Sequence, residues 1–168
     1  KLAVCHNRRI HSNKVFKGKA ARGKTSTGWF YGLKLFLVIN AFGEIMNAFL
    51  TMANVADNHL VTMIKLFSKL KGWAFADKGF INQKAVEELL SKGLHLITGI
   101  RRNMKNKLVL MEQKILLQKR GVIESVNDIL KTVCDIEHTR HRSPINALVN
   151  LYAGLCSYTF LDRLPSIF

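Results

Sequence analysis

Apolar positions arrive first as unbroken runs and later at helical spacing. Residues 29–39, WFYGLKLFLVI, are a continuous β-branched and aromatic run that suits a buried strand better than a helix. A turn through Asn40 and Gly43 leads to a second such run, Ile45–Met52, so the pair reads as a hairpin. Asp57 and Asn58 offer caps for a helix to about Leu70, and Gly72 breaks it before the short apolar stretch 73–76. Asp77 therefore closes a strand. Asn82 caps a further helix that stops at Gly93, a residue suited to the left-handed conformation beyond a helix end, and Leu94–Thr98 reads as another strand. The pattern from 73 to 98 is a β, helix, β unit.

From about 109 to 131 a longer helical pattern sets Leu116, Ile123, Val126, Leu130 and Val133 along one face. Beside it, Leu117, Arg120, Glu124 and Lys131 lie at offsets of three, four and seven, and so project within a narrow sector. Ser143 as cap and Pro144 in the first turn open a last helix to about Phe160. That helix is apolar, but Asn146 and Asn150 interrupt it and it barely reaches spanning length, so it reads as a core helix and not a membrane span. Residues 1–27 differ from all of this. They are polar, basic and without sustained periodicity, and read as an extended loop or arm.

The 168 residues are the length of one domain, and 48% apolar with 22% charged residues is a globular composition. Charge changes the picture more. An excess of 26 Lys and Arg over 11 Asp and Glu leaves +15, which points to a polyanion. The basic residues cluster in three places: an acid-free stretch from Arg8 to Lys24, then Arg101, Arg102, Lys105 and Lys107, then His138, Arg140, His141 and Arg142. Such clustering favours nucleic acid over a membrane surface or a ribosome-like tail. Three widely spaced cysteines, Cys5, Cys134 and Cys156, argue against a disulfide framework and for a reducing, cytoplasmic compartment. Cys134, His138 and His141 fall at helical spacing and Cys5, His6 and His11 lie close together, yet no CxxC or HxxxH pair completes a tetrahedral zinc site. The chain opens on Lys1 with no visible signal peptide, and is expected to be a fragment.

Two acids stand out, Asp77 at a strand end and Glu124 on a helix edge with Arg120 one turn before it. Carboxylates so placed can hold divalent ions that activate a water or hydroxyl and stabilise a leaving oxygen in phosphoryl displacement. A loop Asp and a Glu in a solvated i, i+4 network would account for the same two residues.

The segment 77–80 (DKGF), the set Arg120, Glu124 and Lys131, and the run 138–146 (HTRHRSPIN) resemble bacterial insertion-sequence transposases of the DDE type, of the group named for insertion sequence 982. Segments 4–7 (VCHN), 14–18 (KVFKG) and 22–29 (RGKTSTGW) are similar to the same family, so the resemblance spans nearly the whole chain. The family signature of Tyr, two residues, Arg, three residues, Glu, six residues and Lys is met by Arg120, Glu124 and Lys131, with Leu117 in place of the Tyr.

The resemblance implies an α/β, RNase H-like mixed sheet with flanking helices, its first strand missing or incomplete. Residues 1–168 would form a partial catalytic domain with a basic N-terminal arm at about 1–27. DDE acids bind Mg²⁺ (or Mn²⁺) and cut, then join, DNA at element ends; the second acid maps onto Asp77 and the third onto Glu124. The first is expected in an Asp-Ser sequence shortly before Lys1, so this chain by itself is expected to be inactive. Arg120, Lys131, Arg101, Arg102, Lys105, Arg140 and Arg142 are the expected DNA contacts. Insertion-sequence ends and target DNA are the expected partners, in a cytoplasmic, nucleoid-associated setting; homodimerisation stays open. Phe36 stands where a His is expected, Phe80 replaces the commoner Tyr, and 52–58 departs from a Pro-Gly-Asn-Val-Asp-Asp pattern. A non-catalytic DNA-binding remnant and another nuclease of RNase H-like fold are the alternatives.

Overall fold

The structure, a computed structural model, describes residues 1–26, 28–100, 110–137 and 141–168. Its longest strand organises the rest. Strand β3 (Gly28–Ile39) is the common partner of β1 (Leu2–Cys5), β2 (Ala21–Thr25) and β4 (Ile45–Met52), all antiparallel to it. Leu33 pairs with both Leu2 and Met52, and Gly32 with both Ala3 and Ala21. Hence β1 holds one edge of β3, while β2 and β4 follow one another along the other. Pairing with β1 stops at Leu33, and residues 34–39 have no strand partner on that edge among the described residues.

The continuous apolar run of β3 is explained by burial on both faces. Phe36 and Val38 join a core with α1 (Leu60–Leu66), β5 (Gly72–Ala76), α2 (Gln83–Ser91) and β6 (Leu94–Thr98), in which Met63, Leu66, Leu89 and Leu94 are fully buried. Leu35, Leu37 and Ile39 join a second core with α4 (Val122–Thr132) and α5 (Pro144–Thr159), centred on Val126, Leu130 and Tyr158. Each fully buried leucine stabilises the fold by roughly 1.5–3 kcal/mol. The Tyr158 hydroxyl donates to the Gly43 carbonyl at 2.8 Å, tying α5 to the β3–β4 turn, and burial pushes the Tyr158 phenol up from its ordinary pKa.

Several sequence expectations need correction. The strands at 29–39, 45–52, 73–77 and 94–98 form, but not as one mixed sheet: β5 and β6 are a separate parallel pair, because no described strand bridges β3 and β5. The pattern at 109–131 is two helices, α3 (Met111–Lys119) and α4, interrupted at Arg120 and Gly121. Glycine weakens a helix by about 1 kcal/mol relative to alanine, and this one sits where only α4 has buried side chains to hold it. The helix after Asp57 begins at Leu60 with no side-chain cap, so Asp57 is not its cap. Within the segment read as an extended arm, β1 and β2 pair with β3, and Phe16 is buried against Val4, Ala20 and Tyr31. Their shortness hid this, since the two strands together span only nine residues and neither is long enough for a sustained period. Among the described residues no helix is long and apolar enough to cross a membrane.

Candidate active site at the end of β5

Asp77 follows the last residue of β5 in extended backbone, at the carboxyl end of a parallel strand pair. The turn beyond it, residues 78–80, is held from three sides. The Phe80 amide donates to the Asp77 carbonyl at 2.9 Å, while its ring meets Phe36 edge-on at 6.0 Å and Phe67 at 6.5 Å. Edge-to-face pairs of this kind contribute about 0.5–1.5 kcal/mol beyond area burial. Phe36 and Phe80, the positions where the resemblance leads one to expect His and Tyr, thus meet in one contact. Gly79 is the second hold: a Cβ there would stand 3.3 Å from Asp57 Oδ2. Asp57 itself accepts from Lys34 of β3 at 2.9 Å through Oδ1, and Lys34 also donates to the Val55 carbonyl at 2.9 Å. Third, Asn82 donates to the Asn58 carbonyl at 2.7 Å while its Oδ1 accepts from the Ala85 amide, the cap of α2.

The same aspartate reaches across to the helices. Arg120 Nη2 lies 3.3 Å from Asp77 Oδ1, with the two side chains 37% and 59% exposed. At that exposure the pair contributes only about 0–1 kcal/mol to stability. Its consequence is geometric, because it binds the α3–α4 junction to the end of β5. Glu124 begins one turn further on, its amide donating to the Gly121 carbonyl at 2.9 Å. The Glu124 carboxylate is exposed and has no hydrogen-bond or ion-pair partner among the described residues. Asp77 Oδ2 is likewise open. The junction therefore presents two carboxylates and one guanidinium to solvent.

Hard oxygen donors suit Mg²⁺ or Mn²⁺, which take one or two carboxylates and complete their shell with water and phosphate oxygens. Asp77 and Glu124 each offer carboxylate oxygens of the kind such an ion takes. Among the described residues no group of three or more His, Cys, Asp or Glu is arranged to hold a metal.

Of the other expected contacts, Lys131 is on α4 with Nζ 3.9 Å from Glu137 Oε2, turned to an acid of its own chain. The interruption at Gly121 takes Leu117 and Arg120 out of the sector read for one unbroken helix, whereas Glu124 and Lys131, seven residues apart within α4, stay on one face of it. Arg142 is exposed just before the Ser143 cap of α5. Arg101, Arg102, Lys105 and Arg140 lie outside the described residues. Sequence reasoning missed Lys34, and read Asp57 as a helix cap in preference to a substitute for the first acid; the available signal for their pairing was a lone lysine inside an apolar strand, which must find a partner when half-buried.

A family model described as Transposase DDE domain matches residues 1–144. No curated protein and no solved structure matches.

Proposed function

The chain belongs to the transposase DDE domain family, and from that premise we propose that it is the metal-dependent DNA cleavage and strand-transfer core of an insertion-sequence transposase, of the group named for insertion sequence 982. The observation that carries the reading is the Arg120–Asp77 contact, which joins the strand-end acid to the helix junction preceding Glu124. In this reading Asp77 and Glu124 supply oxygen ligands to Mg²⁺ or Mn²⁺. When bound, such an ion activates the attacking oxygen and stabilises the leaving one. Arg120 orients Asp77 through Oδ1 and leaves Oδ2 open; the rest of its guanidinium fork can take a DNA phosphate. An RNase H-like arrangement is consistent with the antiparallel β3–β4 hairpin and the parallel β5–β6 pair.

DNA binding should be mainly electrostatic. With six to ten phosphates neutralised, affinity falls by about 10³–10⁵ between roughly 50 and 200 mM salt; affinity indifferent to salt contradicts the reading. Cleavage is tested with labelled element-end DNA and Mg²⁺ or Mn²⁺. This chain holds two of the three acids of the resemblance, so it is compared with a version given an added Asp-bearing strand ahead of Lys1, running along the open 34–39 edge of β3. The reading expects cleavage by the extended chain, abolished by Asp77→Asn or Glu124→Gln. Cleavage that survives either substitution defeats the assignment of that acid.

A further inference from the structure

The β2–β3 hairpin carries a surface feature that the acid site does not use. Trp29, at the start of β3, is 56% exposed. Lys24 is its direct cross-strand partner and Arg22 lies two residues back on the same face of β2. The Lys24 ammonium stands 5.7 Å from the indole centroid and the Arg22 guanidinium carbon 5.8 Å from it. Each cation is drawn to the ring quadrupole, but two like charges beside one ring repel each other. Neither has a carboxylate partner among the described residues, and the first acid in the sequence is Glu44. The arrangement is short of an anion.

Its mounting is firm. The Asn7 side-chain amide donates to the Trp29 carbonyl at 2.8 Å. The hairpin is thereby joined to the strand and turn that line a cleft of roughly 720 Å³, whose walls include His6, Arg9, Ser12, Asn13 and Lys14 and, among the described residues, no acid. An exposed indole flanked by cations matches one ligand chemistry in particular, an aromatic base with phosphates on either side. Bases within a duplex have both faces covered by their neighbours, and the terminal base of a blunt duplex carries a backbone phosphate on one side only, so an unpaired base within a strand is the ligand that serves both the indole and the two cations.

We propose that Trp29, with Arg22 and Lys24, is a stacking site for an unpaired base of DNA, the base replacing the two cations over the indole as their long side chains swing to its flanking phosphates. The proposal rests on DNA as the family's partner and is independent of Asp77 and Glu124. It predicts that this chain distinguishes DNA with single-stranded overhangs from blunt duplex, without sequence preference, since every base offers a π-face.

The test uses the full chain without metal, with Trp73→Phe as background so that indole emission reports Trp29 alone. Three DNAs of equal length are titrated: single-stranded, duplex with a short overhang, and blunt duplex. Saturable quenching is expected with the first two and little with the third. Trp29→Ala should weaken overhang binding by about five- to 150-fold, the range of a lost base stack, and leave blunt binding nearly unchanged; Trp29→Phe should retain most of it and controls for folding. Arg22→Gln should lower the salt slope by about one. Unchanged emission at saturation with overhang DNA overturns the site, as does an equal loss of blunt and overhang binding by Trp29→Ala. If the parent chain binds none of the three, the DNA reading itself fails, and this site with it.

Discussion

Asp77 and Glu124 are mounted in opposite ways. The turn beyond Asp77 is packed by Phe80 on Phe36 and Phe67, abutted by Asp57 at Gly79 and clamped by the Asn58–Asn82 amides. Glu124 rides on α4, which hangs from two buried residues, Val126 and Leu130, and is preceded by α3, which buries none. On α3, Met111 and Ile115 are exposed. The difference teaches where stiffness would come from in an ion site shared by the two acids, as proposed. One acid is set by the core directly, and the other by helix register plus the Arg120–Asp77 ion pair.

The comparison can be broken at several strengths. The largest effect is expected at Leu130, fully buried beneath α4: Leu130→Ala should lower unfolding free energy by about 2–5 kcal/mol in urea titration. A loss below about 1 kcal/mol would mean that α4 is not fixed by this core. Next is Phe80→Ala, expected to cost about 2–3 kcal/mol because the ring is only half-buried; it should also weaken Mn²⁺ binding, since it loosens the turn beside Asp77. Gly154→Ala probes the packing of α5 behind α4. A Cβ there would stand 2.3 Å from Ile136 Cγ2 and 3.0 Å from the Cys134 carbonyl oxygen, an overpacking expected to cost about 1–3 kcal/mol. The smallest effect belongs to α3: Ile115→Ala should change stability by no more than about 0.5 kcal/mol, and a loss as large as that of Leu130→Ala would erase the contrast.

The contrast also explains what the sequence made legible. Around Asp77 the signals are local and strong: the apolar stretch ending at Ala76, the Asn82 cap and Gly93 at φ 86° fall where the pattern places them. The same holds for β3, β4 and the Ser143 cap of α5. Around Glu124 the pattern misleads, because the apolar residues of 109–131 can be read as one stripe while Gly121 divides them between two helices. Long-range pairings were invisible. Nothing local in Asp57 announces Lys34, 23 residues away, and its place before a helix invited the capping reading. Residues 2–5 and 21–25 lack a strand signature because their order comes from β3, whose edges they occupy.

The central claim is that Asp77 and Glu124 serve one divalent ion. It is tested most directly by titrating Mn²⁺ into the 168-residue chain and into Asp77→Asn, Glu124→Gln and the double variant, following free Mn²⁺ by electron paramagnetic resonance. The account predicts one weak site, lowered in affinity by either substitution. The double variant should be little weaker than the singles, a coupling of about 0.5–3 kcal/mol in the cycle. Binding untouched by Glu124→Gln, or losses that simply add across the cycle, would show that the two acids do not share an ion.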